Sequence, residues 1–146
     1  MRSLEQIVDR MEIQDLLVAY SHAIDFRRWD ELDDVFTPDA FIDYTAMGGP
    51  KGKFPEIKEY LRNVMPIFAS YYHMVATSKI AVDGDTATGV TICHNPMVLG
   101  EGDDERVFVC GLWYHDKFLR TPDGWRITER VEEKAYVKDA PSGVGG

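Results

Sequence analysis

Apolar residues in the first part of the chain recur at helical spacing, but on two faces. When each residue is advanced by about 100°, Leu4, Ile7, Val8 and Met11 fall on one side of a helix running from about Leu4 to Phe26. Ile13, Leu16, Leu17, Tyr20 and Ile24 fall on nearly the opposite side. A straight helix would have to bury both faces, so the pattern predicts a break near Glu12, with the first turns packing elsewhere. "WDELDDVF" predicts a second helix that packs through Leu32, Val35 and Phe36 and is stopped by "TPDA". "FIDYTA" reads as a strand and "MGGPKGK" as a flexible loop. Pro55 suits a first helical position, Ile57, Tyr60, Leu61 and Val64 supply the stripe of a third helix, and Pro66 ends or kinks it.

From Tyr72 onward β-branched and aromatic residues alternate between turn signals. "YHMVATSKIAV" leads through the Asp-Gly turn of "DGD" into "TATGVTICHNPMVL", and "GEGDDER" connects to "VFVCGLWYHDKFLR". The "TPDG" turn and "WRITERVEEKAYV" complete a second hairpin, and "KDAPSGVGG" reads as a loose tail. Helices come first and antiparallel strands later, which predicts an α+β fold with helices on one face of a curved sheet. A single domain is expected over residues 1–137, with the tail at 138–146.

Composition narrows the functional classes. The chain has 146 residues, 45% of them hydrophobic and 12% aromatic, enough for one packed core. Sixteen basic against 25 acidic residues give a net charge of −9, which repels phosphate backbones and anionic lipid surfaces, so neither nucleic acid nor membrane is an expected partner. No apolar run is long enough to span a bilayer, and charge interrupts the N-terminus unlike a signal peptide, so a cytoplasmic location is expected. Cys93 and Cys110 lack metal-ligand spacing and read as small buried apolar residues.

Four histidines offer chemistry: His22, His73, His94 and His115. Strand alternation puts Tyr71, His73, Val75 and Thr77 on one face and Tyr72, Met74 and Ala76 on the other. An imidazole among such neighbours is either a core histidine satisfied by a carbonyl or a site residue. His22 and Asp25 are three apart and could form a solvated surface pair. Tyr20 and Asp25 are offset by about 140° on an ideal helix, so they share a cavity only if the helix end bends or the pocket wraps around it. Tyr44, Asn95 and Tyr114 are further polar candidates, and His94 and His115 read most simply as ordinary strand residues. With no HExxH, close histidine pair or cysteine cluster, no metal is expected, and no glycine-rich fingerprint calls for a phosphate-bearing cofactor.

The stretches "YSHAIDFRRWDELDDVFTPDAFIDY", "YYHMVATSKIAVDGDTATG" and "FLRTPDGWRI" together resemble the scytalone dehydratase and SnoaL-like branch of the nuclear transport factor 2-like superfamily. The Y-x4-D-x3-WD-x-L arrangement from Tyr20 to Leu32 and the histidine before the "VDGDTATG" hairpin carry the likeness, which spans nearly the whole chain. The resemblance implies a cone-shaped α+β barrel: a strongly curved antiparallel sheet wrapped around N-terminal helices, with a deep apolar cavity. It also implies a homodimer or homotrimer. By the same resemblance Asp25 and His73 correspond to the catalytic dyad, and Tyr20 and Tyr44 to pocket tyrosines. Met97 stands where scytalone dehydratase has a second pocket histidine, Asn95 aligns with an acidic residue of a bile acid dehydratase, and Tyr114 replaces an asparagine.

On this resemblance the expected activity is that of a dehydratase-type lyase that needs no cofactor and acts on a small cyclic apolar substrate. Asp25 would fix the imidazole tautomer, His73 would remove a proton, and Tyr20 or Tyr44 would polarise the activating group. Asn95, Tyr114, Met97 and Met74 would contact substrate, and Met47 and Met65 would add apolar lining or core packing. A dehydrohalogenase, a ketosteroid-type isomerase or a polyketide cyclase would reuse the same base, and a binding module would keep only the pocket.

Overall fold

The computed structural model describes residues 1–142. Helix α1 (Leu4–Asp25) is followed by a 3₁₀ turn (Trp29–Asp34), strand β1 (Phe36–Asp43), strand β2 (Lys51–Lys53) and helix α2 (Phe54–Val64). Strands β3 (Ser70–Tyr71), β4 (Met74–Asp83), β5 (Thr86–Leu99), β6 (Arg106–Thr121) and β7 (Gly124–Lys138) complete the described chain. The seven strands form one sheet in the order β2-β1-β7-β6-β5-β3, with β4 also paired to β5, so the sheet does not close on itself. Among the described residues all pairings are antiparallel except that of β1 with β7. The α+β class is the one expected, and the three long hairpin strands β5, β6 and β7 carry it.

Helix α1 is continuous and does not break near Glu12. Ser3 caps it by accepting from the Gln6 N–H, while the Gln6 side chain accepts from the Ser3 N–H. Ile13, Leu16, Leu17, Tyr20 and Ile24 are buried against the sheet, whereas Leu4, Ile7, Val8 and Met11 face solvent, with Leu4 at 77% exposure. The first turns are held by polar contacts in place of a second apolar face. The buried Asp9 carboxylate accepts from Arg120 at 2.6 and 2.8 Å and from Trp125 Nε1 at 3.1 Å, and Arg10 donates to the Ile80 carbonyl. The tips of both hairpins are thereby tied to the helix.

Other expectations shift locally. "WDELDD" forms a 3₁₀ turn in place of the expected helix, yet Leu32, Val35 and Phe36 are buried as predicted. "TPDA" lies inside β1; Pro38 is tolerated because β1 slips register against β7 between Phe36 and Phe41, where a missing N–H costs little. β1 ends at Asp43, whose carboxylate accepts from the Thr45 N–H and hydroxyl and turns the chain. Within the "MGGPKGK" segment Lys51–Lys53 pairs with β1 as a short strand. α2 begins one residue before Pro55, buries Ile57 and Leu61, and passes into a 3₁₀ turn at Met65–Ile67 that contains Pro66. Lys138, the first residue of the expected tail, pairs with Val109, and residues 143–146 of that segment lie outside the described residues.

Hydrogen bonds from Arg120 hold the Asp9 carboxyl below its usual range, against burial. A carboxylate lowered on folding stabilises the fold above its unfolded pKa and ceases to do so as pH falls through the folded one. Asp9→Asn should therefore be less stable than the parent near pH 7, with the gap narrowing in acid, as pH falls below the ordinary aspartate pKa of about 3.9. Urea unfolding midpoints across this range measure this.

Candidate active site

Between α1, α2 and the inner face of the sheet lies a cavity of about 190 Å³. Its wall is mostly apolar, including Met47, Leu61, Met65, Phe68, Met97 and Phe108, and its polar groups are few. Asp25 closes α1, and the chain then turns away through Arg27 at a φ of 56°. The Asp25 carboxylate accepts two kinds of hydrogen bond from one residue. The His73 backbone N–H donates to it at 3.0 and 3.2 Å, and His73 Nδ1 lies 2.6 Å from Oδ1. The Asp25 and His73 side chains are 12% and 8% exposed, with His73 at the cavity wall and Asp25 behind it. With Nδ1 engaged, Nε2 is the ring nitrogen that can serve the cavity.

His73 lies between β3 and β4, not on a strand, so its N–H is free of the sheet ladder and available to Asp25. Two contacts fix this crossing: the Tyr71 hydroxyl donates to the Ile24 carbonyl at 3.0 Å, and Asn95 Nδ2 donates to the Tyr72 carbonyl at 2.8 Å. The angular offset of Tyr20 from Asp25 is resolved because the pocket wraps the helix end. The Tyr20 ring meets the His73 ring edge-on, with centroids 6.1 Å apart, and its hydroxyl lies 2.6 Å from that of Tyr44. Tyr44 is itself pinned, its N–H donating to Pro50 and its carbonyl accepting from Gly49 and Met47. Gly48 makes this loop feasible at a φ of 86°.

The structure also separates the candidates. Tyr20, Tyr44, His73, Asn95, Met97 and Tyr114 line the cavity. Met74 does not: it is 52% exposed, because alternation turns the residue after His73 to the outer face. Thr77 leaves the expected alternation at a bulge in β4, where its φ is 52°. His22 is exposed against Phe26 and makes no pair with Asp25. His94 lies 3.4 Å from the Tyr136 hydroxyl, and His115 pairs with Glu133, both away from the cavity.

A model of the SnoaL-like domain matches residues 5–131, nearly the full length described. The chain belongs to the SnoaL-like family, in the nuclear transport factor 2-like superfamily. Rv2910c of Mycobacterium tuberculosis is 56% identical to it over 138 residues, covering 94% of this chain and 93% of its own. Among solved structures, a candidate scytalone dehydratase from Novosphingobium aromaticivorans DSM 12444 is 16% identical, with a TM-score of 0.82 over 93% of this chain and 90% of that one. The LinA-type3 hexachlorocyclohexane dehydrochlorinase of Novosphingobium barchaimii LL02 is 20% identical, with a TM-score of 0.80 over 95% and 94%. At these identities the two share the cone fold, with its curved and unclosed sheet.

The SnoaL-like cavity contains charged neighbours that strand alternation does not reveal. Arg130 is fully buried and donates through Nε and Nη2 to Asp116, each at 2.8 Å. Its guanidinium carbon is 4.1 Å from the Tyr20 ring centre and 3.9 Å from that of Tyr114. Straight alternation from the buried Trp125 and Ile127 would put Glu129 and Val131 inside. Instead Thr128 is an extra residue: Lys117 faces Glu129 and Phe118 faces Ile127, so parity flips and Arg130 and Glu132 turn inward. Burial pushes the Tyr20 phenol up to about 12 despite Arg130, and it likewise holds Tyr44 and Tyr114 well above their usual range. All three are neutral donors at physiological pH. Burial raises the Cys93 thiol to about 12 and that of Cys110 to about 11, so neither is a thiolate nucleophile.

Removing Asp116 would leave a buried cation unanswered. Asp116→Ala should cost about 3–5 kcal/mol of stability, measured as the fall in unfolding free energy in urea.

Proposed function

We propose that this SnoaL-like protein is a cofactor-independent lyase of the dehydratase type, using the Asp25–His73 pair on a small cyclic apolar substrate. The observation that carries this reading is the 2.6 Å contact between Asp25 Oδ1 and His73 Nδ1 at the wall of an apolar cavity. Asp25 keeps Nδ1 protonated, and Nε2 takes a proton from the substrate carbon next to an activating carbonyl. The C–H electron pair forms the new double bond as the group on the adjacent carbon departs. Tyr20 and Tyr44 spend one of their two phenolic protons on their mutual 2.6 Å hydrogen bond, which leaves the other to polarise the carbonyl. Asn95 is committed through Nδ2 to the Tyr72 carbonyl, so its role is to position the His73 segment, with its remaining polar atoms open to substrate.

The cavity volume fits a small ring. An apolar cavity of about 150 Å³ holds a benzene ring, so about 190 Å³ suits one substituted six-membered ring. The dehydrochlorinase among the fold neighbours favours a second reading, in which the same base removes a proton and chloride leaves. Both readings share proton abstraction by His73.

Substituted cyclic β-hydroxy ketones in deuterated water should exchange the proton next to the carbonyl and lose water. Asp25→Asn and His73→Ala should each lower the rate by about 10²-fold to 10⁴-fold, with the circular dichroism spectrum unchanged. Full activity in either variant would remove the dyad from the mechanism.

A further inference from the structure

Glu132 is unlike the other carboxylates described. It lies on β7 directly opposite Tyr114, lines the same cavity as His73, and has an Oε2 closed off from solvent without a hydrogen-bond partner. A buried carboxylate oxygen without a partner is costly, and a carboxyl group in that position escapes the cost by keeping its proton. The nearby cation does not hydrogen-bond it: Arg130 gives Nε and Nη2 to Asp116, and its buried Nη1 has no hydrogen-bond partner.

We propose that Glu132 is the proton donor of this cavity: it protonates the hydroxyl leaving the substrate while His73 takes the proton from the neighbouring carbon. The C–H bond breaks with its proton passing to His73 Nε2, and its electron pair forms the double bond as the C–O bond breaks. The oxygen keeps the C–O electron pair, takes the Glu132 proton and leaves as water. Imidazolium and carboxylate remain, and solvent returns a proton to Glu132 and removes one from His73. A halide departs as a stable anion and needs no such donor, so a built-in acid points to alcohols as the substrate class. The assignment rests on the elimination chemistry proposed above and extends it to the leaving group.

The electrostatics agree with the geometry. Burial pushes the Glu132 carboxyl up to about 8, Asp43 acts in the same direction, and Arg130 opposes both. Facing Glu132 are Asp43 and Tyr44 around the end of β1, Tyr20 from α1 and Tyr60 from α2. Tyr114 and Cys110 face it from β6, Cys93 from β5 and Arg130 from its own strand. Within that set Arg130 is the sole cation, and two of its three nitrogens are given to Asp116.

The first test is independent of turnover. Protein carrying ¹³C at glutamate carboxyls is titrated by NMR beside Glu132→Gln. The resonance missing from the variant should titrate near 8; titration in the ordinary range of about 4 to 5 would overturn the proposal. The second test compares 3-hydroxycyclohexanone with 3-chlorocyclohexanone. Glutamine keeps the shape and a hydrogen-bond donor but cannot give up a proton, so Glu132→Gln should lower the ratio of water to chloride elimination by about a hundredfold or more. An unchanged ratio would sink the assignment. His73→Ala separates this from the base assignment, because loss of the base slows both eliminations and leaves their ratio alone. If the parent protein turns over neither ketone, the carboxyl titration decides.

Discussion

A guanidinium with no route to water must be answered by the protein around it, and Arg130 meets this condition at the centre of the molecule. Asp116 takes its Nε edge, and the rings of Tyr20 and Tyr114 supply electron-rich surface within about 4 Å. Burying such a pair is not a cheap source of stability. Its effect is on geometry, because it fixes the one long helix against the middle of the sheet by a contact that tolerates little sliding. Tyr20 is held there, Tyr44 is held by Tyr20, and the end of α1 is delivered to the crossing where His73 waits.

Around that fixed centre the cavity is divided by chemistry. On the His73 side an imidazole is oriented by a carboxylate that is itself anchored to the backbone of the same residue. Glu132 lines the same space opposite Tyr114, together with phenols that burial keeps neutral. Among the described residues, no side chain lining the space is a fixed cation. Such a chamber suits an uncharged molecule, and on the proposed reading His73 would accept a proton there and Glu132 would give one.

Much of this is legible in the residues. The hairpins follow from alternation and from "DGD" and "TPDG", α2 follows from its stripe and Pro55, and the Asp25–His73 pairing follows from a motif and not from periodicity. Most of the failures arise where a local rule is overridden by a contact distant in sequence. The two-faced pattern of α1 suggests a break as long as Asp9 counts as an ordinary polar residue, but its partners Arg120 and Trp125 lie more than a hundred positions away. Pro38 reads as a stop, yet it sits in a strand where pairing lapses. Met74 has the chemistry of a pocket residue, although the alternation that puts His73 inward already turns its neighbour outward. Arg130 and Glu132 escape sequence reasoning altogether, since nothing in "WRITERVEEKAYV" announces which residue is supernumerary, whereas Asp116 follows the plain alternation of β6.

That supernumerary residue is Thr128, whose hydroxyl donates to the Lys117 carbonyl and secures the kink. Because side chains in a strand alternate, one added position acts as a parity switch for everything downstream. The hairpin tip before it can vary in sequence without touching the cavity. A β7 that kept Thr128 but paired straight through would, by contrast, turn Glu129 and Val131 inward in place of Arg130 and Glu132 in a single step. In this fold the chemical character of the chamber is therefore encoded partly by strand register, and a shift of frame in one strand can change it more than any replacement of a lining side chain.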